Sequence, residues 1–181
     1  GIVRYRDKWM RYHAAYERRV MPVLMRTFKE WGKNIPFDAL TETNYKLSIA
    51  LATDIKLMDE AYVEIYTKIG LVHGRRVGAS INTLLKEFTF ASFSEVFKRN
   101  LINFIAQSGG QRIVIVRQTY IDYINQIIAT KLTDGKSMSE IATELQKLIR
   151  SRGFYRWQAL RIARTETTTA ANYAATQAGI V

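Results

Sequence analysis

The chain has no cysteine, two histidines, two prolines and ten glycines in 181 residues, and each scarcity closes off a class of protein. Without thiols there is no disulfide framework, no thiolate zinc site and no cysteine nucleophile, which excludes a staple-dependent secreted fold and fits a reducing compartment. His13 and His73 stand sixty residues apart with no paired metal-ligand spacing, so each reads as a packing or surface histidine, and no metal site is expected. Prolines only at Pro22 and Pro36, and glycines that cluster without a period, argue against all-β and collagen-like folds. No glycine-rich phosphate loop, dinucleotide fingerprint or nucleophile elbow occurs, and Gly135-Lys136-Ser137 is too short to be a phosphate loop. Neither catalysis, a cofactor nor a small-molecule substrate is expected. The longest uncharged run, Thr167 to Val181, is mostly alanine and threonine and falls short of the roughly 18 residues that a membrane span needs. The chain begins at Gly1 with no signal-like leader, which reads as a processed chain or a fragment.

What is present is globular composition: 48% hydrophobic and 24% charged residues, enough for one domain or a domain with a helical arm. The net charge is +11, unevenly placed. Residues 1–33 hold nine Lys/Arg against three Asp/Glu, residues 34–97 six against eight, and residues 98–181 twelve against five. Basic ends flanking a mildly acidic middle suit a polyanion such as DNA, met through phosphates without regard to sequence.

Apolar residues at Trp9, Tyr16, Val20, Leu24, Phe28 and Trp31 predict a basic amphipathic helix, kinked or divided at Pro22, since an interior proline costs about 3 kcal/mol. Tyr45, Ile49, Ala52, Ile55, Met58, Tyr62, Ile65 and Ile69 predict one long helix of about 42 Å at 1.5 Å per residue, and hence an elongated molecule. Gly70, Gly74 and Gly78 recur every four residues, either for close helix packing or as a break. Ser80 and Ser94 are candidate caps for helices reaching Phe88 and Ala106. Gln107 to Gln111 reads as the main break, followed by a β-prone run, Ile113 to Val116, good for at most one short strand or connector. Then come a helix with Ile121, Ile124 and Ile128 inward, a turn at Asp134 and Gly135, and a Ser137/Glu140 capping box opening a helix with Ile141, Leu145 and Leu148 inward. A final helix from about Tyr155 to Ala178 stops at Gly179, with Phe154 and Trp157 anchoring the turn before it. The fold class is therefore all-α: residues 1–107 as an elongated helical arm or hairpin and residues 112–181 as a small C-terminal helical bundle.

On the last helix, Ala159, Ile162, Ala163, Glu166, Ala170, Tyr173 and Ala174 share a stripe, and Glu166 has no basic residue at helical spacing. A carboxylate on a buried face needs a cross-helix Arg, Tyr or backbone amide as its partner, and Arg112 and Arg117, at the preceding junction, are the candidates. Thr165, Thr167, Thr168 and Thr169 are mediocre helix formers, so packing or contact must account for them.

The stretch from Ala159 to Gly179, with Ile162, Ala163, Arg164, Thr165 and Glu166, then small residues, Asn172 and a close near Gly179, resembles the C-terminal signature of the Mu F-like phage head morphogenesis family. The upstream helix, the Gly135-Lys136-Ser137 turn and the capped Ser139-Glu140-Ile141-Ala142 helix are similar to the family in the same order, so the resemblance covers about residues 112–179. Family chains commonly continue past this point, sometimes into an enzymatic module. The resemblance implies a minor head protein near the portal vertex, inside the virion and in the host cytoplasm during assembly. The implied partners are the portal protein, the double-stranded DNA genome, and scaffolding or other head proteins. The residues expected to meet DNA are Arg4, Arg6, Lys8, Arg11, Arg18 and Arg19, with Arg150, Arg152, Arg156 and Arg161. Two alternatives stand beside this: a free-standing non-specific DNA-binding protein, and a membrane-active ejection protein using the first helix.

Overall fold

The computed structural model describes residues 2–85, 89–151 and 153–180, with side chains left out at 2–7, 81–85 and 180. Seven α-helices are present among them and no strand: α1 (Ile2–Lys33), α2 (Tyr45–Ala52), α3 (Ile55–Leu85), α4 (Phe90–Phe104), α5 (Gly110–Thr133), α6 (Met138–Arg150) and α7 (Arg156–Ile180). A 3-10 turn at Phe37–Ala39 lies between α1 and α2. None of these helices is long and apolar enough to cross a membrane, among the described residues.

α1 is one helix through Pro22, which corrects the two-helix alternative. Proline 22 is exposed, so the carbonyl left without an amide partner lies on a wet helix surface. The opposite face, with Tyr16, Val20, Val23, Leu24, Phe28 and Trp31, is buried and holds the two halves in one phase. The single long helix expected from Tyr45 to Ile69 is instead α2 and α3, parted at Thr53 and Asp54. The Thr53 hydroxyl donates to the Ile49 and Ala50 carbonyls (3.1 and 3.0 Å), while the Arg117 guanidinium takes the Ala50 and Thr53 carbonyls (2.7 and 2.6 Å). Carbonyls taken by side chains are lost to the helical ladder, and the chain breaks there.

α3 continues through all three glycines to Leu85, so the packing reading of Gly70 and Gly74 is the correct one. A methyl group on Gly70 would lie 2.0 Å from Phe97 Cζ, and one on Gly74 1.9 Å from Phe93 Cζ. The bare backbones are the seats of two α4 phenyl rings. Ser80 lies inside α3 with its hydroxyl on the Arg76 carbonyl (3.1 Å), and the helix expected to reach Phe88 runs outside the described residues. The cap of α4 is Thr89, whose side chain accepts from the Ser92 amide, and Ser94 is within the helix.

The break expected at Gln107 to Gln111 is a wide π turn, Ile105–Gly109, joining α4 directly to α5. The β-prone run is helical: Ile113 and Val116 are buried three residues apart while Val114 and Ile115 face out. Helical spacing into the core outweighs β-branched propensity. The Gly135 turn has φ +81°, and the Ser137/Glu140 capping box is present. In α6 Ile141, Leu145 and Ile149 are buried, whereas Leu148, expected inward, is 39% exposed. Gly179 lies in the last turn of α7, not beyond it.

All seven helices contribute to one continuous core, with α7 packed along α3 and α1 and touching α4. The N-terminal helices expected as an arm or hairpin thus share their core with the C-terminal helices.

Filling either glycine seat should be expensive. Gly74→Ala forces the Phe93 ring out of its place, and overpacking of this kind costs about 1–3 kcal/mol. Urea unfolding of Gly70→Ala and Gly74→Ala is expected to show that loss, while Gly153→Ala, where an added Cβ meets nothing within 4 Å, leaves the midpoint nearly unchanged.

Candidate functional site

The polar centre of the fold is on α7. Glu166 is 3% exposed, and its Oε2 accepts from the Tyr66 hydroxyl of α3 at 2.6 Å and from Arg112 Nη1 of α5 at 3.3 Å. The same guanidinium nitrogen lies 3.3 Å from the Tyr66 hydroxyl. Burial, and next the Glu166 charge, push the Tyr66 phenol far above its ordinary value, so it stays a proton donor across the working pH range. Of the two arginines expected to reach Glu166, Arg112 does; Arg117 instead ties α5 to the end of α2. Spacing does not point to Tyr66, which lies a hundred residues from Glu166 in the chain and beside, not on, the stripe from Tyr45 to Ile69.

The signature residues divide by face. Ile162, Ala163 and Glu166 point into the core, and Thr167 is buried with them. Arg164, Thr165, Asn172 and Gly179 are exposed. Arg164 Nε lies 3.6 Å from Glu17 of α1, the Thr165 hydroxyl bonds the Arg161 carbonyl (3.3 Å), and Thr168 meets His13 Nε2 at 2.8 Å. His13 Nδ1 is in turn 2.9 Å from Glu17. A carboxylate, an imidazole and a hydroxyl in this order are the parts of a proton relay. Thr168 also donates to the Arg164 carbonyl (3.2 Å) and sits in mid-helix, where backbone amides are engaged in the ladder and offer no oxyanion pocket. The chain of bonds clamps α1 to α7.

A second polar chain joins α1 to α3. Arg76 donates to the Tyr16 hydroxyl (2.8 Å), which lies 3.2 Å from His73 Nδ1; the rings of Trp9 and Tyr16 stand edge-on to the imidazole. With Arg76 donating to the phenol oxygen, the phenol proton is free for Nδ1, which then accepts. Burial, followed by the Arg76 charge, depresses the His73 pKa. Both histidines are therefore packing groups.

The cations form an extended surface feature. At 100° per residue, Lys8, Arg11, Arg18, Arg19, Arg26, Lys29 and Lys33 fall within an arc of about 100° along α1, a row of about 38 Å. All seven are exposed. The first four are among the residues expected to meet DNA; Arg26, Lys29 and Lys33 join them because the helix keeps its phase through Pro22. Arg150 stands at the far end of the row, lining a cleft with Arg26, Lys29 and Lys33. Arg156 and Arg161 are exposed on α7, where Arg161 lies over Trp157 at 5.7 Å. Trp157 is itself half exposed, so Phe154, buried, is the anchor of that turn. The side chains of Arg4, Arg6 and Arg152 lie outside the described residues.

Two outcomes are expected from this geometry. Arg112→Met leaves Glu166 without a charged partner among the described residues and should cost about 2 kcal/mol, below the range for a fully buried pair because Arg112 is 38% exposed; adding Glu166→Leu should recover most of it in urea titrations. His73, its folded pKa depressed below the unfolded value, favours the native state above pH 6.5 and withdraws that stability as pH falls below it. Melting curves between pH 7.5 and 5 should show a smaller acid-induced decrease in His73→Gln than in the parent chain; equal slopes would sink this assignment.

Compared with models of known families, with curated proteins and with solved structures, the chain matches none.

Proposed function

We propose that this chain is a phage minor head protein, acting near the portal vertex in procapsid assembly and meeting the DNA genome during packaging and delivery. The reading rests on the resemblance of residues 112–179 to the Mu F-like signature. The observation that carries it further is the separation of roles between two helices. The signature helix α7 organises the core through Ile162, Ala163 and Glu166, while the longest row of cations stands on the outer face of α1, with Arg156, Arg161 and Arg164 exposed on the outer side of α7. A protein built to be held by one set of neighbours and to face a polyanion with another needs this separation.

The α1 row suits the phosphate backbone of a duplex. Its length of about 38 Å corresponds to about eleven base pairs at 3.4 Å each, and exposed lysines and arginines exchange counterions with phosphates without reading bases. A free-standing DNA-binding protein would use the same row, so portal capture separates the two readings. The membrane-active alternative has less support, since Tyr16, Phe28 and Trp31, the aromatic face that would enter a bilayer, are buried in the core.

Binding of random-sequence duplex DNA should weaken linearly in log affinity against log salt, with a slope near −0.9 for each phosphate neutralised. Replacing Arg18, Arg19 and Arg26 by glutamine should flatten that slope by about 2–3 and leave capture by portal rings intact. Loss of neither DNA affinity nor slope would remove DNA from the proposal, and a virion reconstruction without density for this chain beside the portal would remove the portal.

A further inference from the structure

A cleft of about 1010 Å³ opens between the C-terminal ends of α1 and α6. Ile35, Phe37, Ile149 and Tyr155 make its apolar lining. Lys29 on the α1 wall and Arg150 on the α6 wall are exposed and carry no ion pair among the described residues, whereas Arg26 is tied to Glu64 and Lys33 to Glu30; the carboxylate of Asp38 also lines the cleft, so four cations face two acidic groups there. A volume at the upper end of small-ligand sites, with unpaired cations on opposite walls, fits a helix face that offers apolar side chains between carboxylates.

This chain carries such a face. On the N-terminal part of α3, Ile55, Asp59 and Val63 follow at intervals of four residues on one exposed side, with Glu60 beside them and Asp54 just before the helix. Ile55 and Val63 are 39% and 40% exposed. Asp54, Asp59 and Glu60 have no ion pair among the described residues. Partial burial, and then repulsion from Asp54 and Glu60, hold the Asp59 carboxyl above its ordinary value. The ridge carries three carboxylates, Asp54, Asp59 and Glu60, against the exposed Lys56, and so remains acidic.

We propose that the cleft between α1 and α6 receives the α3 ridge of a second copy of this chain, with Ile55 and Val63 on the apolar lining and Asp59 and Glu60 against Lys29 and Arg150. Cleft and ridge flank the same stretch of α1, where Arg26 reaches Glu64 and the Trp31 indole donates to the Asp54 carbonyl at 2.8 Å. In a two-fold dimer each copy would give its ridge and receive its partner's. The +11 charge opposes association at long range, but at about 0.15 M salt that repulsion is screened beyond roughly 8 Å, while pairs inside the cleft are screened much less. The inference stands independently of the phage reading.

Sedimentation equilibrium of the full chain across a concentration series at 0.15 M salt tests it. The parent chain is expected to dimerise. Lys29→Glu with Arg150→Glu, and separately Asp59→Lys with Glu60→Lys, should each weaken the dimer at least about tenfold, the scale of close charge pairs at interfaces. Mixing the two variants should restore a dimer, because each contact then pairs opposite charges again. Circular dichroism checks that each variant is folded; if one is not, Lys29→Gln and Asp59→Asn replace the reversals and should weaken the dimer in the same direction. A monomeric parent chain, a dimer indifferent to the variants, or a mixture that stays monomeric would each overturn the proposal.

Discussion

A single buried carboxylate governs how this chain closes. Glu166 lies within a helix of alanines and threonines, and a charge in that position is tolerable only if other helices bring donors to it. Tyr66 comes from α3 and Arg112 from α5, so the carboxylate reads whether three helices are in register. Alanines around it, buried at 159, 163, 170, 171 and 174, let the neighbouring backbones come near enough for the bonds to form. Apolar contact alone would leave α7 free to slide or rotate among several nearly equal packings; the carboxylate selects one of them.

The remaining helices are fixed to this centre by similar devices at smaller scale. Two phenyl rings lock α4 into the glycine seats of α3, and Arg117 holds the end of α2 by its carbonyls. His13 and Thr168 clamp α1 to the outer side of α7. α1 therefore has two faces of different character: an aromatic face that belongs to the core, and an exposed cationic face on which Arg26 and Lys33 are ion-paired to Glu64 and Glu30.

Much of this could be read from residue spacing, and the failures share a cause. Helical class, the Gly135 turn, the Ser137 capping box and the need of Glu166 for an outside partner all follow from local chemistry. What escaped depended on tertiary contacts. The stripe from Tyr45 to Ile69 keeps its phase across Thr53 and Asp54, so nothing local reveals that Arg117 opens the ladder there. Pro22 looked like a boundary because its cost is local, while the aromatic face that carries the helix past it is a property of the whole core. Gln107 to Gln111 has the composition of a loop, yet the buried Ile105 and Ile113 on either side keep it helical. Of the polar centre, Arg112 was legible as a basic residue at a junction; Tyr66 was indistinguishable from the apolar residues around it.

The wide turn at Ile105–Gly109 has a further consequence. A π turn holds one residue more than the ladder on either side of it, and so sets the rotation of α5 relative to α4. Each residue added or removed there turns everything beyond it by about 100°. Phe93 and Phe97 would stay in their seats on α3, but Arg112 would swing away from Glu166 and Arg117 from the end of α2. The exposed Ala106, Gln107 and Ser108 of the turn are free to vary; its length is not. The segment that looks most like a dispensable linker is the index mark by which the two halves of the molecule are aligned.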